Sequence, residues 1–375
     1  EIVLFPLSKN GPIRVLPENV FVNTVLTKTS REFSKSDFFK QFFLILKILG
    51  VELINSKRRS FIFKNLKKLL GSIIQCQKLG VDFIKEIDQS KENYFYSFWM
   101  NDGALLLSQL KVKGRIEAFN FRVNGFDIFD ERQEGNYMPF RYFNYKYVRN
   151  VFVLSSEAFN YLKALNYKQD KLVLSHYGIF DKGTNQLVSN DQIHMVSCAS
   201  VVELKRLDKI TSALSLIDDC DLKWTHFGDG HLMEEIKNRA VDLPANIKVD
   251  FKGNVPNQEI IETYKNESVN LFIHTSETEG LGMAIIEAQS FGIPAVVIGV
   301  GGVLDIVSDK TGIVLKPDDD GEEIAAAIRE VINGEKNTQA YREVIKEVCL
   351  QIFDADRNYK AQFHKLVATD SKETV

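Results

Sequence analysis

Between residues 190 and 335 short apolar runs alternate with helix-like stretches, and this alternation constrains the fold more than any other feature of the chain. The runs are 193–198, 223–227, 247–251, 269–274, 295–298 and 312–315, with amphipathic patterns such as 232–241 and 259–264 between them. Strand and helix in strict turn predict a parallel sheet covered by helices on both faces, since parallel neighbours need a crossover connection. Sheets of this kind bind ligands outside the carboxyl ends of their strands. Functional residues are therefore expected in the loops that follow the runs.

The first half repeats the pattern less regularly. Candidate strands are 2–5, 20–25, 94–98, 117–123, 151–154 and 172–174, and helical stretches near 34–50 and 58–88 separate the second from the third. Ser155 and Ser156 precede 157–165 as an N-cap would. A polar, turn-rich linker is expected near 183–190, and 354–366 reads as a last helix. A length of 375 residues favours more than one domain. The expected division is an N-terminal domain 1–187, a C-terminal domain 188–352 and a crossover helix and tail 353–375. Glu1 leads straight into the run Ile2-Val3-Leu4-Phe5, so a βα unit of about 30 residues is expected to precede it.

The net charge of -3 hides an asymmetry: residues 1–90 hold 15 Lys and Arg against 8 Asp and Glu, leaving 32 against 42 beyond. A basic first quarter predicts a surface for phosphate or anionic membrane and not a nucleic-acid protein as a whole. Cys76, Cys198, Cys220 and Cys349 form no CxxC pair, as expected for reduced thiols in a cytoplasmic protein. The richest apolar stretch, 38–54, is broken by Lys40, Gln41, Lys47 and Glu52 and is too short and too charged to span a bilayer. The segment 57–68 interleaves Lys57, Arg58, Arg59, Lys64, Lys67 and Lys68 with apolar residues. It reads either as a helix lying on an anionic membrane surface or as a solvated helix packed on the first domain's sheet.

The chemistry concentrates in His274-Thr275-Ser276-Glu277-Thr278-Glu279-Gly280-Leu281-Gly282-Met283, which runs on through Ile286-Glu287-Ala288. A strand ends at its start, and a helix is expected from about Gly282 to about Phe291. The two glycines let backbone approach a ligand closely, and the free N–H groups of a helix start suit a diphosphate. Glu287 sits between apolar neighbours, where a carboxylate needs a partner; ribose hydroxyls would supply two hydrogen bonds.

Glu279 and Glu287 match the EX7E motif of retaining GT-B glycosyltransferases. With Phe291-Gly292-Ile293-Pro294-Ala295 and Gly301-Gly302-Val303 following, the chain resembles glycosyltransferase family 4, the glycosyl transferases group 1. The likeness implies an α/β GT-B fold: two facing Rossmann-like domains with parallel sheets, the donor in the second, the acceptor in the first, and a C-terminal helix crossing back. It further implies that Glu287 binds ribose, Glu279 the transferred sugar, and the amides of Gly280, Leu281, Gly282 and Met283 the phosphates. Lys205 matches the family's phosphate-binding Lys, whereas Ser200 stands where an Arg is usual, so Arg206 is the expected supplement. Gly228 and the stretch around Val255 correspond to nucleotide-contacting backbone. Arg122-Val123-Asn124-Gly125-Phe126-Asp127 resembles the R-x-H-G-x-D segment, with Asn124 in place of the His beside the reaction centre. Asn donates hydrogen bonds but does not titrate near neutrality. Arg122, Arg132 and Arg141 serve either an anionic acceptor or ordinary ion pairs. His176-Tyr177-Gly178-Ile179 lines the cleft or packs as a loop.

Two other signals carry less. Asp318-Asp319-Asp320 precedes an Ala-rich helix and reads as capping rather than as a metal site. Gly299-Val300-Gly301-Gly302 lacks dinucleotide-loop spacing. The expected activity is retaining, metal-independent and cofactor-free transfer from a nucleoside-diphosphate sugar to a glycan or lipid-linked acceptor, in surface polysaccharide biosynthesis. The alternatives are a nucleotide-sugar 2-epimerase of the same fold and a donor-binding protein that has lost catalysis.

Overall fold

The computed structural model describes residues 2–7, 16–27, 35–165, 167–188 and 192–368. The chain forms two compact units: one of Glu1–Val153, Phe159–Leu174 and Phe363–Val375, the other of Leu154–Ala158 and Ser175–Gln362.

In the second unit β7 (Gln192–Cys198), β8 (Asp221–Phe227), β9 (Ile247–Gly253), β10 (Leu271–His274), β11 (Ala295–Ile298) and β12 (Gly312–Leu315) form one parallel sheet in the order β12-β11-β10-β7-β8-β9. The strand order reverses between β7 and β10. The crevice at their carboxyl ends is thus the topological switch point, where doubly wound sheets hold ligands. The core on this sheet includes Ile210, Leu214, Ile273, Ile324 and Ile328, all at 1 % exposure or less; each such burial is worth about 1.5–3 kcal/mol. Trp224 is fully buried because its indole N–H finds Ser197 Oγ at 2.8 Å, and Ser197 Oγ in turn lies 2.8 Å from His226 Nδ1.

The first unit holds a parallel sheet of β3 (Tyr96–Ser97), β4 (Asn120–Val123), β5 (Val151–Val153) and β6 (Leu172–Leu174), packed through Phe121 and Phe152. A separate parallel pair joins β1 (Ile2–Leu4) and β2 (Val20–Val22). Helix Lys35–Asn55 buries Glu52 completely; its carboxylate accepts from Tyr137 Oη at 2.7 Å and Phe143 N–H at 2.8 Å. The last helix, Ala355–Val367, starts in the second unit, where Asn358 Nδ2 donates to Tyr177 O at 3.0 Å. It ends in the first, where Asn120 Nδ2 donates to Leu366 O at 3.3 Å. The crossing back expected from the sequence is therefore present.

The strands of the second unit fall within about two residues of the sequence reading, and 295–298 and 312–315 match it in full. The first unit differs more. The run 20–25 stops as a strand at Val22, and Thr24–Thr27 forms a 3-10 turn that buries Val25 and Leu26. The stretch 58–88 is two helices, Arg59–Lys64 and Leu66–Lys85, broken at Asn65. Helices Asp102–Val112, Arg141–Tyr147 and Gln339–Phe353 have no counterpart in the sequence reading. Asp320 caps helix Gly321–Asn333 reciprocally with Glu323, as the acidic run suggested.

Candidate functional site

Two loops flank the switch point. After β7 the chain passes exposed Ser200 and forms a 3-10 turn at Glu203–Lys205, ending on Arg206 at φ +48°. After β10 it runs from His274 to Gly282, which takes φ +98° and starts helix Met283–Ser290 with no side-chain cap. Thr275 Oγ1 donates to the carbonyls of Lys205 (3.0 Å) and Arg206 (2.9 Å), and Glu277 N–H to that of Leu204 (2.9 Å), so the loops are joined by backbone acceptors.

That join brings Lys205 to Glu279, with Nζ 2.6 Å from Oε2; His274 Nε2 lies 3.2 Å from the same oxygen, and Gly280 N–H donates to Oε1 at 3.1 Å. Burial alone would raise the Glu279 carboxyl. The hydrogen bond from His274 and the charge of Lys205 outweigh it and hold the group at about 2. Glu279 is therefore ionised at neutral pH. Arg206 lies on the same loop, but its guanidinium is held by Asp208 (2.9 Å) and Glu277 (2.7 Å). It is a strut between loops as it stands, which a reading of the Lys-Arg pair alone does not reveal.

Glu287, just over one turn into the helix, is half-buried and accepts from Asn257 Nδ2 at 3.0 Å. Burial raises its pKa, against the opposing effect of Asn257. Cys198, at the end of β7, is pushed up to about 11 by burial and then by the Glu287 carboxylate. Asn257 was not foreseen; the only local signal is its place after Pro256, at the start of helix Asn257–Asn266 beyond β9. Gly228, at φ +134°, leaves no room for a side chain: a Cβ there would stand 1.8 Å from Ala199 O. Its N–H donates to Gly253 O at 2.9 Å, which ties the ends of β8 and β9 two residues before half-buried Val255.

The glycine pair Gly301-Gly302 supports the Glu279 loop from behind. A Cβ on Gly301 (φ +60°) would meet Glu279 O at 1.9 Å, and one on Gly302 would meet Gly280 O at 2.4 Å. Leu281, at 2 % exposure, anchors the loop into the core. His176 is packed: its Nε2 lies 3.1 Å from Asp305 Oδ2 and its ring is edge-on to Phe353.

In the first unit the segment after β4 is a buried turn. The Asp127 carboxylate accepts from Met100 N–H at 2.7 Å and from Asn124 N–H; burial raises its pKa to about 6 despite these bonds. Asn124, at 5 % exposure, donates from Nδ2 to Phe98 O at 3.0 Å, and Gly125 follows half-buried at the start of the turn. Arg122 and Arg141, each at 1 % exposure, lie in the interior rather than at the surface; Arg122 Nε donates to Tyr96 Oη, and Arg141 pairs with Asp130 at 2.9 Å. Arg132 donates to Gly125 O and stacks over Phe129.

The chain is similar in sequence and in fold to known glycosyltransferases. A family profile described as "Glycosyl transferases group 1" matches residues 181–348. Among curated proteins, sulfoquinovosyl transferase SQD2 of Arabidopsis thaliana is 26% identical over 147 residues, 38% of this chain and 27% of that protein. The GDP-mannose-dependent alpha-(1-6)-phosphatidylinositol dimannoside mannosyltransferase of Mycobacterium tuberculosis is 26% identical over 144 residues, 38% of this chain and 36% of that protein. The matches thus span between about a quarter and about a third of these relatives' length. The structure of Anabaena HepE in complex with UDP and glucose superposes with a TM-score of 0.63 at 15% identity, over 77% of this chain and 81% of that one. The architecture is accordingly GT-B. Residues 181–348, and with them Lys205, Glu279 and Glu287, are similar to the glycosyl transferases group 1 family.

Proposed function

We propose that the protein is a retaining glycosyltransferase that moves a sugar from a nucleoside-diphosphate donor to a glycan or lipid-linked acceptor in surface polysaccharide biosynthesis. The observation that carries this reading is the meeting of Lys205 with Glu279 at the switch point, beside a helix start with no side-chain cap. A diphosphate there meets the helix N–H groups and the Lys205 ammonium, which has three donors and can hold Glu279 and a phosphate oxygen together. Glu287 faces ribose hydroxyls and ionised Glu279 the hydroxyls of the transferred sugar; Ser200, Gly228 and Val255 border the nucleotide. In the transfer the anomeric carbon–phosphate oxygen bond breaks and a bond to the acceptor oxygen forms on the same face. The acceptor proton passes to the departing phosphate. Because Lys205 and the amides meet the phosphate charge, turnover is expected to persist in EDTA.

A thermal-shift panel of UDP, GDP and ADP tests the reading. One of them at a hundredfold excess over its Kd should add about 2.7 kcal/mol; no shift with any would sink it. A second reading, a donor-binding protein without turnover, is favoured by the commitment of Asn124 to the Phe98 carbonyl. If the chain binds a nucleoside diphosphate but consumes no donor, and Asn124→His restores consumption, that second reading stands. Donor consumption by the unaltered chain rejects it.

The same reading includes peripheral contact with an anionic membrane. Among the described residues no helix is long and apolar enough to cross one. Phe43 (85 % exposed), Leu46 and Ile54 of helix Lys35–Asn55 nonetheless face outward, with exposed Phe63 on the basic helix that follows.

A further inference from the structure

His274 is the last residue of β10, pairs in register with Val297 of β11 and is 5 % exposed. The rest of the strand is apolar, with Leu271, Phe272 and Ile273 fully buried. An imidazole in such company needs a polar partner. Among the described residues its side chain has one, Glu279 Oε2 at 3.2 Å. Ionised Glu279 can only accept, so His274 Nε2 carries the hydrogen of this bond whether the ring is neutral or charged. The imidazole is thus committed to the carboxylate five residues ahead and not to the core around it.

This bond also decides which oxygen of Glu279 is open. An ionised carboxylate has about four acceptor positions. Lys205 Nζ at 2.6 Å and His274 take those of Oε2, and Gly280 N–H at 3.1 Å takes one of Oε1. The open position is therefore on Oε1. Of the two donors on Oε2, Lys205 is the one free to move, since its ammonium ends a flexible stem and an anion in the site would draw it. The imidazole stands on a strand hydrogen-bonded to β7 on one side and β11 on the other and lacks that freedom. Burial raises the Glu279 carboxyl, and the His274 bond stands first among the influences that lower it.

On the glycosyltransferase reading proposed above, on which this step rests, we infer that His274 is a positioning residue for the transferred sugar: it holds Oε2 while Lys205 is shared with the donor's diphosphate, and so keeps Oε1 turned to a sugar hydroxyl. Its contribution is to recognition of the sugar and not of the nucleotide, because its bond goes to the carboxylate assigned to the sugar.

Calorimetric titration of the full chain tests this, with whichever of UDP, GDP and ADP binds most tightly and with the tightest of its glucose, galactose and mannose esters. His274→Leu should weaken the ester by at least about tenfold, the worth of one hydrogen bond to a charged group, and leave the bare diphosphate within about twofold. Two polar variants separate the bond from the bulk, and they carry the comparison if the Leu variant does not fold. Glutamine can place an N–H where Nε2 stands, asparagine only where Nδ1 stands. His274→Gln should therefore hold the ester within about threefold of the unaltered chain, and His274→Asn should lose about tenfold. Equal losses of ester and diphosphate in the Leu and Asn variants would make His274 a packing residue. An ester affinity that no substitution moves would mean that Glu279 is positioned without it. Either result overturns the role of His274 alone. Failure of all three diphosphates to bind the unaltered chain would instead overturn the donor-site reading, and this inference with it.

Discussion

Glu279 accepts hydrogen bonds from Lys205 and His274 on one oxygen and from the Gly280 amide on the other. Removing it in Glu279→Ala leaves a half-buried ammonium and a buried imidazole unmatched, at a cost of about 1–3 kcal/mol. Since its proposed partner is the sugar, turnover should fall further than nucleotide binding; Glu287→Ala should instead abolish the nucleotide's thermal shift. Equal nucleotide shifts in the two variants would contradict this division of roles. Buried Glu52 and half-buried Glu279, carboxylates of opposite shift, also set opposite pH windows. With a folded pKa of about 2, below its unfolded value, Glu279 contributes stability that is present above the ordinary carboxylate range and lost as pH falls towards about 2. Glu52 is raised to about 7, first by burial and against its bonds from Tyr137 and Phe143. The folded state then holds its proton more tightly than the unfolded one. Stability from this group is full below about pH 4.5 and declines as pH rises to about 7, by on the order of 3 kcal/mol. Denaturant melts of Glu52→Gln should lose that decline between pH 5 and 7, and an unchanged slope would show that another group titrates there.

At the scale of elements, the site is a pair of loops held in register by a third. Gly301 and Gly302, on the loop after β11, lie against the carbonyls of Glu279 and Gly280 at separations no side chain tolerates. Gly301→Ala therefore combines a left-handed backbone with a clash and should cost at least about 2 kcal/mol. It should also weaken nucleotide binding although Gly301 has no charge to offer a ligand; circular dichroism melts and the nucleotide shift measure the two effects, and an unaltered shift would mean that the support is not needed. The second unit was legible because its strands are short apolar runs, the central β10 and β11 buried throughout, punctuated by Gly and polar loops, so period and punctuation agree. The first unit was less so. Its strands are two to four residues long, and helix Asp102–Val112 buries Ala104 to Leu110 without a polar face, erasing the period that marks a helix. Pairings across loops, such as Arg206 with Glu277 or Glu287 with Asn257, leave no trace in local spacing. The anchor residues could thus be named from sequence while their partners could not.

Across the whole molecule, charge is unevenly spread, with 15 Lys and Arg against 8 Asp and Glu in residues 1–90 and an acidic excess beyond. The basic quarter also carries the exposed stripe Phe43, Leu46 and Ile54, spaced so that all three fall within one side of helix Lys35–Asn55, opposite buried Ile45, Ile48 and Glu52. A helix apolar on the outer side as well as the inner pays a hydration cost unless something covers it, and cations beside the stripe favour an anionic lipid surface on the reading proposed above. Each Lys or Arg near such a surface is worth about 1 kcal/mol, and salt screens it over about 10 Å at 0.1 M. The protein should therefore sediment with vesicles rich in anionic lipid, less at high salt, and not with neutral vesicles. Phe43→Ser with Phe63→Ser should reduce binding by removing the buried apolar area, and Lys64→Glu with Lys67→Glu should reduce it by removing the attraction, without altering nucleotide shifts generated in the other unit. Equal sedimentation with neutral and anionic vesicles would reject the electrostatic part. Loss on charge reversal but not on the Phe substitutions would reject insertion of the stripe and leave adsorption through the cations alone.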